Sequence, residues 1–328
     1  MPLSIRGGAA ALGGTEDKEY FVRKMLARAV PKLVHDQFGS KAYIPVRGGQ
    51  SIEWRRLQTI AASTTALTEG TPGAETIPSV ISVTATVNQY GQHYLSTDIA
   101  ASQSIDDLKS EGATALGEAM GNSRDQLTRN VINATTSIQY ASTATSRATV
   151  ASGMLLNSAE IREATATLKN NNALPFADGG FKVIIHPYTE SDLFNDPAIT
   201  NAFSYAGERG SGNPIFQGKL GRYLGNDFYV TTNATATTAA GVSVGTTNGG
   251  AGVGATVYRT LFIGDQAYGV VALSALTADL IYHPPGSSGV FDPLDQLWSQ
   301  GYKFSHAAAI LDNTWIVSCE HVVSQGVY

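Results

Sequence analysis

Residue types capable of chemistry occur in this chain, but not at the spacings that chemistry needs. Six histidines and a single cysteine are scattered over 328 residues. There is no His-Glu-x-x-His pattern and no paired Cys or His at zinc spacing. Gly212 to Gly218-Lys219 approaches a phosphate-binding loop, but the interval is one residue too long, and Leu220 stands where a Ser or Thr would hold magnesium. Gly249 to Gly254 is glycine-rich yet follows no clear strand and opens no helix. Gly286-Ser287-Ser288-Gly289 is not a nucleophile elbow, because Val290 occupies the place of the second glycine. His93 and His306 fall in strand-like runs and read as packing residues. Cys319, beside Val317 and Ser318, reads as a small buried hydrophobe. The sequons at Asn133 and Asn233 carry no meaning without secretion. The expectation is a chain that is not an enzyme and takes no cofactor and no metal.

What remains is the chemistry of contact. Arg55-Arg56 is the only basic pair in the stretch from Gly48 to Asp98, and Glu69 sits in the polar tip of that stretch. On a projecting ribbon these three side chains would form charge pairs with a neighbouring subunit; on an ordinary surface strand they would be solvated. The elements that position them follow from the pattern. Ser51-Ile52-Glu53-Trp54-Arg55-Arg56-Leu57 is strand-like, residues 65–73 form the tip, and the chain returns from Val80 to about Thr97. Ile81, Val83, Ala85 and Val87 alternate with Ser82, Thr84, Thr86 and Asn88, the period of two of a half-buried strand. At Tyr90 and Tyr94 the apolar residues change parity, which predicts a bulge between Asn88 and Gly91. About eighteen strand residues would reach ~60 Å, more than the ~50 Å diameter of a compact globule of this chain length. Either the run is two or three shorter strands separated by kinks, or it is an arm lying on a neighbouring subunit.

Composition points to the same kind of surface. Charged residues make up 15% of the chain, against about 25% in a typical soluble domain. With a mean hydropathy of −0.05, much of the exterior is expected to face other protein. The net charge of −5 and the scattered Lys and Arg argue against direct nucleic-acid recognition. One cysteine permits no internal disulfide, in keeping with a reducing compartment. Residues 1–14 show no secretory pattern, and no apolar run approaches a membrane span.

In chain order, residues 1–14 read as a flexible tail, and a helix is expected from Thr15 with a kink or end at Pro31. After the ribbon comes the strongest helical period, capped by Ser104 and running to about Asn133, roughly thirty residues and ~45 Å long. It should act as a spine. A shorter helix is expected over Ser158–Lys169, with Ile161, Ala164 and Leu168 inward. A buried strand is expected over Phe181–Ile185, then a helical turn near Thr189 to Phe194, strands between Ile215 and Val230, and a long Thr/Gly/Ala loop from Thr231 to Ala255. Strands follow from Tyr258 to Val271. Two more, Tyr302 to Ala307 and Thr314 to Val322, join at Asp312-Asn313.

This order, together with specific stretches, resembles the major capsid proteins of tailed bacteriophages with the Hong Kong 97-type fold. Ser51-Ile52-Glu53-Trp54-Arg55-Arg56, Leu67-Thr68-Glu69-Gly70-Thr71-Pro72, Gln89 to Asp98, Phe262 to Val271 and Gly301 to Leu311 are similar to the branch typified by coliphage N-four. The resemblance implies an α+β chain: an N-terminal arm (1–47), an extended β-hairpin loop (48–98) and a peripheral domain with the spine helix (99–181). An axial domain (182–285) and strands returning to the peripheral domain (286–328) follow. It implies self-assembly as hexamers and pentamers into an icosahedral shell around double-stranded DNA, held without sequence-specific binding. Assembly would occur in the host bacterial cytoplasm and the product would be the virion capsid, with a portal, a possible cement protein and no membrane. Only about forty residues precede the hairpin, so the scaffold is expected to be a separate protein. No Lys occurs between Lys41 and Lys109, so a cross-link from a loop lysine is not expected. An encapsulin-like nanocompartment shares the architecture and is the alternative. A β-rich adhesin or decoration protein would explain the Thr/Gly loops but would not need the spine helix.

Overall fold

The long returning run breaks at Val87, and its two halves go to different places. The structure is a computed structural model that describes residues 25, 33–45, 47–58, 60–70, 75, 77–104, 107–150, 153–205, 221–234, 247–248, 255–273, 279–287 and 292–324. The helix expected from Thr15, the Gly212–Lys219 loop and the Gly249–Gly254 loop lie outside these residues, apart from Met25.

In chain order the strands are β1 (Ser40–Ile44), β2 (Ser51–Leu57), β3 (Val80–Thr86), β4 (Asn88–Thr97), β5 (Ile138–Tyr140), β6 (Phe181–Ile185), β7 (Arg222–Tyr223), β8 (Asn226–Val230), β9 (Thr247–Asn248), β10 (Ala255–Ile263), β11 (Tyr268–Leu273), β12 (Asp279–His283), β13 (Leu297–Ile310) and β14 (Ile316–Val322). The helices are α1 (Asp98–Gln103), α2 (Leu108–Ile132), α3 (Ser158–Asn170), α4 (Pro187–Phe194) and α5 (Pro197–Tyr205).

β2 and β3 pair antiparallel as a two-stranded ribbon, from Ser51 opposite Thr86 to Leu57 opposite Val80. Seven residues per strand span ~23 Å, not the ~60 Å of an unbroken hairpin. The second half, β4, pairs instead with β13 over ten residues, Asn88 opposite His306 through Thr97 opposite Leu297. The change of parity is the cause. Ala85 and Val87 are buried on the odd positions, whereas Tyr90 and Tyr94 turn the even positions of β4 inward.

β13 is the hub of a five-stranded sheet in the order β1-β11-β13-β12, with β4 also paired to β13. The spine helix packs on this sheet: Leu116 and Met120 meet Leu280, Tyr302 and Phe304, with Met25 buried among them. The helix is shorter than expected at its start. Ser104 is the C-cap of α1, which Thr97 caps through the Ala100 N–H. Asp107 caps α2 by accepting from the Lys109 and Ser110 N–H groups. Both residues are good caps, and local sequence does not decide between them.

The second sheet runs β5-β14-β10-β6-β8-β7, with β9 paired to β10. Helix α3, capped by Asn157, lays Ile161, Ala164 and Leu168 against Val183, Ile185, Phe262 and Val317. Besides the spine-helix connection from β4 to β5, the chain crosses between the sheets at two short connections, after β10 and after β13. The two crossings touch: the Ala267 carbonyl accepts from Leu311 N–H at 2.9 Å and Asp312 N–H at 3.0 Å, and the Trp315 carbonyl from Gly264 N–H at 3.0 Å. Each sheet therefore takes strands from both sides of residue 285. β11 and β12 join the spine-helix sheet, and β14 lies between β5 and β10 in the other.

Candidate assembly surface

The ribbon has two unlike faces. Ile52, Trp54, Val83 and Ala85 point at the body, where Ala85 and Val87 join Ile44 and Val271 in a small apolar core with Ala307 and Ala309. The Trp54 ring lies directly on Gly269, where a Cβ would come within 2.5 Å of it; only a glycine leaves room. The opposite face carries Glu53, Arg55, Ser82 and Thr84. On it Arg55 donates to Glu53 at 3.1 Å, which lowers the Glu53 carboxyl pKa and raises that of Arg55.

Arg56 is the outermost rung that still reaches the body. Its guanidinium pairs with Asp312 and lies over the Trp315 ring, 5.4 Å from the centroid. Burial pushes the Asp312 carboxyl up, but bonds from the Thr314 hydroxyl, Arg56 and the Thr314 N–H together hold it below the usual carboxylate range. A cavity of about 200 Å³ opens beside this contact, lined by residues that include Ser40, Trp54, Ile81, Gln266 and Trp315.

Past Arg56 the described residues are exposed. Leu57, Ile60, Leu67, Ile77 and Val80 are five of the fourteen large apolar side chains exposed among the described residues, with Leu67 at 79% and Ile77 at 81%. Such a concentration is unusual on a monomer surface. Glu69 lies in this segment, exposed, in a turn at Glu69-Gly70.

The three residues singled out from sequence are thus not brought together. Arg55 faces solvent beside Glu53, Arg56 is tied to Asp312 of its own chain, and Glu69 is at the tip. Sequence reasoning missed Asp312, Trp315 and Gly269. The Asp312-Asn313 turn was visible, but nothing local tied it to Arg56, 256 positions away. Among the described residues no three His, Cys, Asp or Glu side chains converge as metal ligands. His306 is buried, its Nε2 2.9 Å from the Thr128 hydroxyl, and Cys319 is fully buried with its thiol pKa pushed up by burial.

A family model described as phage capsid protein matches residues 80–282, more than half of the chain. No curated protein matches at a significant level. Among solved structures, the capsid of cyanophage P-SCSP1u is 15% identical, covers 89% of each chain and superposes with a TM-score of 0.63. The capsid asymmetric unit of cyanophage Pam1 is also 15% identical, with 85% of this chain and 86% of that one covered and a TM-score of 0.65. The acid-stable capsid of Helicobacter pylori bacteriophage KHP30 gives 12% identity, 88% and 89% coverage and a TM-score of 0.63. At these identities the likeness is one of fold, and it is the α+β, Hong Kong 97-type fold expected from the sequence.

Proposed function

This chain belongs to the phage capsid protein family, and from that premise we propose how it builds its shell. It is a major capsid protein, and forming the phage shell is its function. The proposal is that copies assemble as hexamers and pentamers into a closed icosahedral shell around double-stranded DNA. The ribbon would be the element that reaches from one copy to the next. The observation that carries this is the set of exposed apolar side chains from Leu57 to Val80, beyond the last described contact with the parent subunit. A surface of that kind gains free energy only when a partner covers it.

Within this reading the β2–β3 ribbon and its tip are the extended loop. The spine helix with the five-stranded sheet is the peripheral domain, and the seven-stranded sheet with α3 to α5 is the axial domain. Glu69 is solvent-facing at the tip, and Arg55 is solvent-facing in its pair with Glu53; both are placed where an adjacent copy could form charge pairs with them. Arg56 would do so only by leaving Asp312. The protein is a structural component without catalysis, assembled in the host cytoplasm beside a separate scaffold protein, a portal and a possible cement protein. Its net charge of −5 suits an inner wall along which DNA slides without being held. The coliphage N-four branch is proposed on the stretches quoted above.

Expression of the full chain, with and without its own scaffold protein, and electron microscopy of the product test the reading. Closed shells of uniform size are expected with the scaffold. A stable monomer that never associates under either condition would end the proposal.

A further inference from the structure

We propose that Arg56, Asp312 and Trp315 form a latch that sets the angle at which the ribbon leaves its own subunit, which makes Arg56 a positioning residue for assembly. The inference rests on the reading of the ribbon as the inter-subunit element and adds what aims it.

Three observations carry it. The first is position. Arg56, opposite Ile81, is the outermost rung with a partner on the body; one rung further, Leu57 and Val80 are exposed. A contact at the last anchored rung fixes the direction of everything beyond it.

The second is that the receiving group is held in advance. One Asp312 oxygen accepts from the Thr314 N–H at 3.0 Å and the Thr314 hydroxyl at 2.7 Å, which leaves the other for Arg56. The Asp312 N–H is itself bonded to the Ala267 carbonyl. Asp312 is 11% exposed while Arg56 is 44% exposed, so a fixed carboxylate takes the end of a longer, freer side chain. The guanidinium carbon also lies over the Trp315 ring, 5.4 Å from its centroid, within reach of a cation–π contact.

The third is location. Asp312 and Trp315 belong to the crossing from β13 to β14, bonded to the crossing from β10 to β11. The latch therefore closes on the junction of the two sheets. A change in how the sheets meet would reach the ribbon through Arg56.

The test is a double-mutant cycle of Arg56→Gln and Asp312→Asn on the full chain. Asp312→Asn keeps an oxygen for Thr314 and turns toward Arg56 an uncharged amide NH2, which cannot accept from the guanidinium. In the soluble subunit, amide exchange at residues 54–57 and 80–83 should rise about tenfold in each single variant and no further in the double, as expected for local opening of one shared contact. Thermal unfolding of the subunit should stay unchanged, which a merely structural role would not leave so. With the scaffold present, both single variants should give the same altered distribution of shell sizes. Unchanged exchange, independent and multiplying effects, or an effect of Arg56→Gln with none of Asp312→Asn would each overturn the latch. The exchange cycle needs no shells, so failure of the parent chain to assemble would count against the assembly reading and leave the latch to be judged separately.

Discussion

His35 and Asp125 hold each other twice. The His35 backbone N–H donates to Asp125 Oδ1 at 2.6 Å, and His35 Nδ1 lies 2.9 Å from Oδ2, with both side chains fully buried. Asn233 adds a third bond to the same carboxylate at 3.1 Å. The pair fastens the segment before β1 to the spine helix, and the neighbouring Asp36–Arg124 pair at 2.9 Å repeats the tie. Burial pushes the Asp125 carboxyl up, but the bonds from His35 and Asn233 outweigh it and leave its pKa below the ordinary value.

Removing that carboxylate leaves buried donors with no acceptor. Asp125→Ala should cost about 3–5 kcal/mol, the range for breaking one side of a buried pair. Asp125→Asn, which keeps an oxygen for the His35 N–H, should cost less. Urea unfolding of the soluble subunit measures both, and equal losses would mean that the oxygen kept by Asn contributes nothing and that the carboxylate charge carries the whole effect.

Acid should weaken the fold well above the range where carboxylates titrate. Burial lowers the pKa of His306 and of His321 to about 4, from 6.5. The groups facing His306 are Asp36, which favours the proton, and Arg124, which opposes it. For His321 they are Asp192 and Glu320, which favour it, and His186, which opposes it. Its Nδ1 is 3.1 Å from the Val322 carbonyl, so Nδ1 carries the hydrogen and Nε2 accepts from Thr260. At neutral pH both rings are neutral in either state, and there is no penalty. As pH falls through 6.5 the unfolded chain takes up protons that the folded chain refuses until about pH 4. Stability should therefore fall over that window by about 1.4 kcal/mol per pH unit for each ring. Denaturant midpoints at pH 7, 6, 5 and 4 check this, and a flat profile above pH 4.5 would contradict it.

A buried ion triad on the other sheet makes a further case. Glu320 is fully buried on β14, with Arg259 Nε at 2.7 Å and Arg147 Nε at 2.8 Å. Burial raises its pKa, yet the two guanidinium groups prevail and the carboxyl sits below its usual value. Glu320→Gln would leave the buried Arg259 without its counter-charge at a cost of about 3–5 kcal/mol. Replacing Arg147, which is 22% exposed, should cost clearly less, because water can reach the site. A comparison of the two variants by thermal unfolding decides whether burial sets the difference.

Much of this was readable from local pattern, and the failures share one cause. The parity switch after Val87 is written in Ala85, Val87, Tyr90 and Tyr94, and so is the inward stripe Ile161, Ala164, Leu168. Pattern names the face that is buried, not the strand that covers it. β4 meets β13 some two hundred positions later, so local pattern leaves open whether the run to Thr97 is one arm or shorter strands separated by a kink, and the structure shows two strands parted at Val87. Spine capping failed for a different reason: Ser104 and Asp107 both suit a cap, and only the fold makes the first a C-cap and the second an N-cap. Arg56 was visible as a charge, but its function depends on Asp312, and no local signal joins them.

Two glycines of the spine helix should respond unequally to the same change. Helix propensity alone favours Ala over Gly by about 1 kcal/mol. At Gly117 a Cβ would come within 2.3 Å of the Met25 backbone carbonyl. Backbone cannot swing aside as a side chain can, so the segment at Met25 must lift from the core it shares with Leu116 and Met120. Overpacking of that kind costs about 1–3 kcal/mol, more than propensity returns, and Gly117→Ala should destabilise. At Gly112 the Cβ would meet the Tyr94 ring and hydroxyl, the nearest at 2.4 Å. That ring is partly exposed; its hydroxyl donates to the Leu108 carbonyl at 2.8 Å and it meets Trp298 edge to face, centroids 5.4 Å apart. Turning it outward gives up the hydrogen bond, about 1 kcal/mol, and the ring contact, about 0.5–1.5 kcal/mol, but a side chain can yield where backbone cannot, so Gly112→Ala should cost less than Gly117→Ala. Thermal unfolding of the two variants side by side is the measurement. If Gly117→Ala stabilised the subunit, the backbone of Met25 would have to be held far more loosely on the spine than its burial requires.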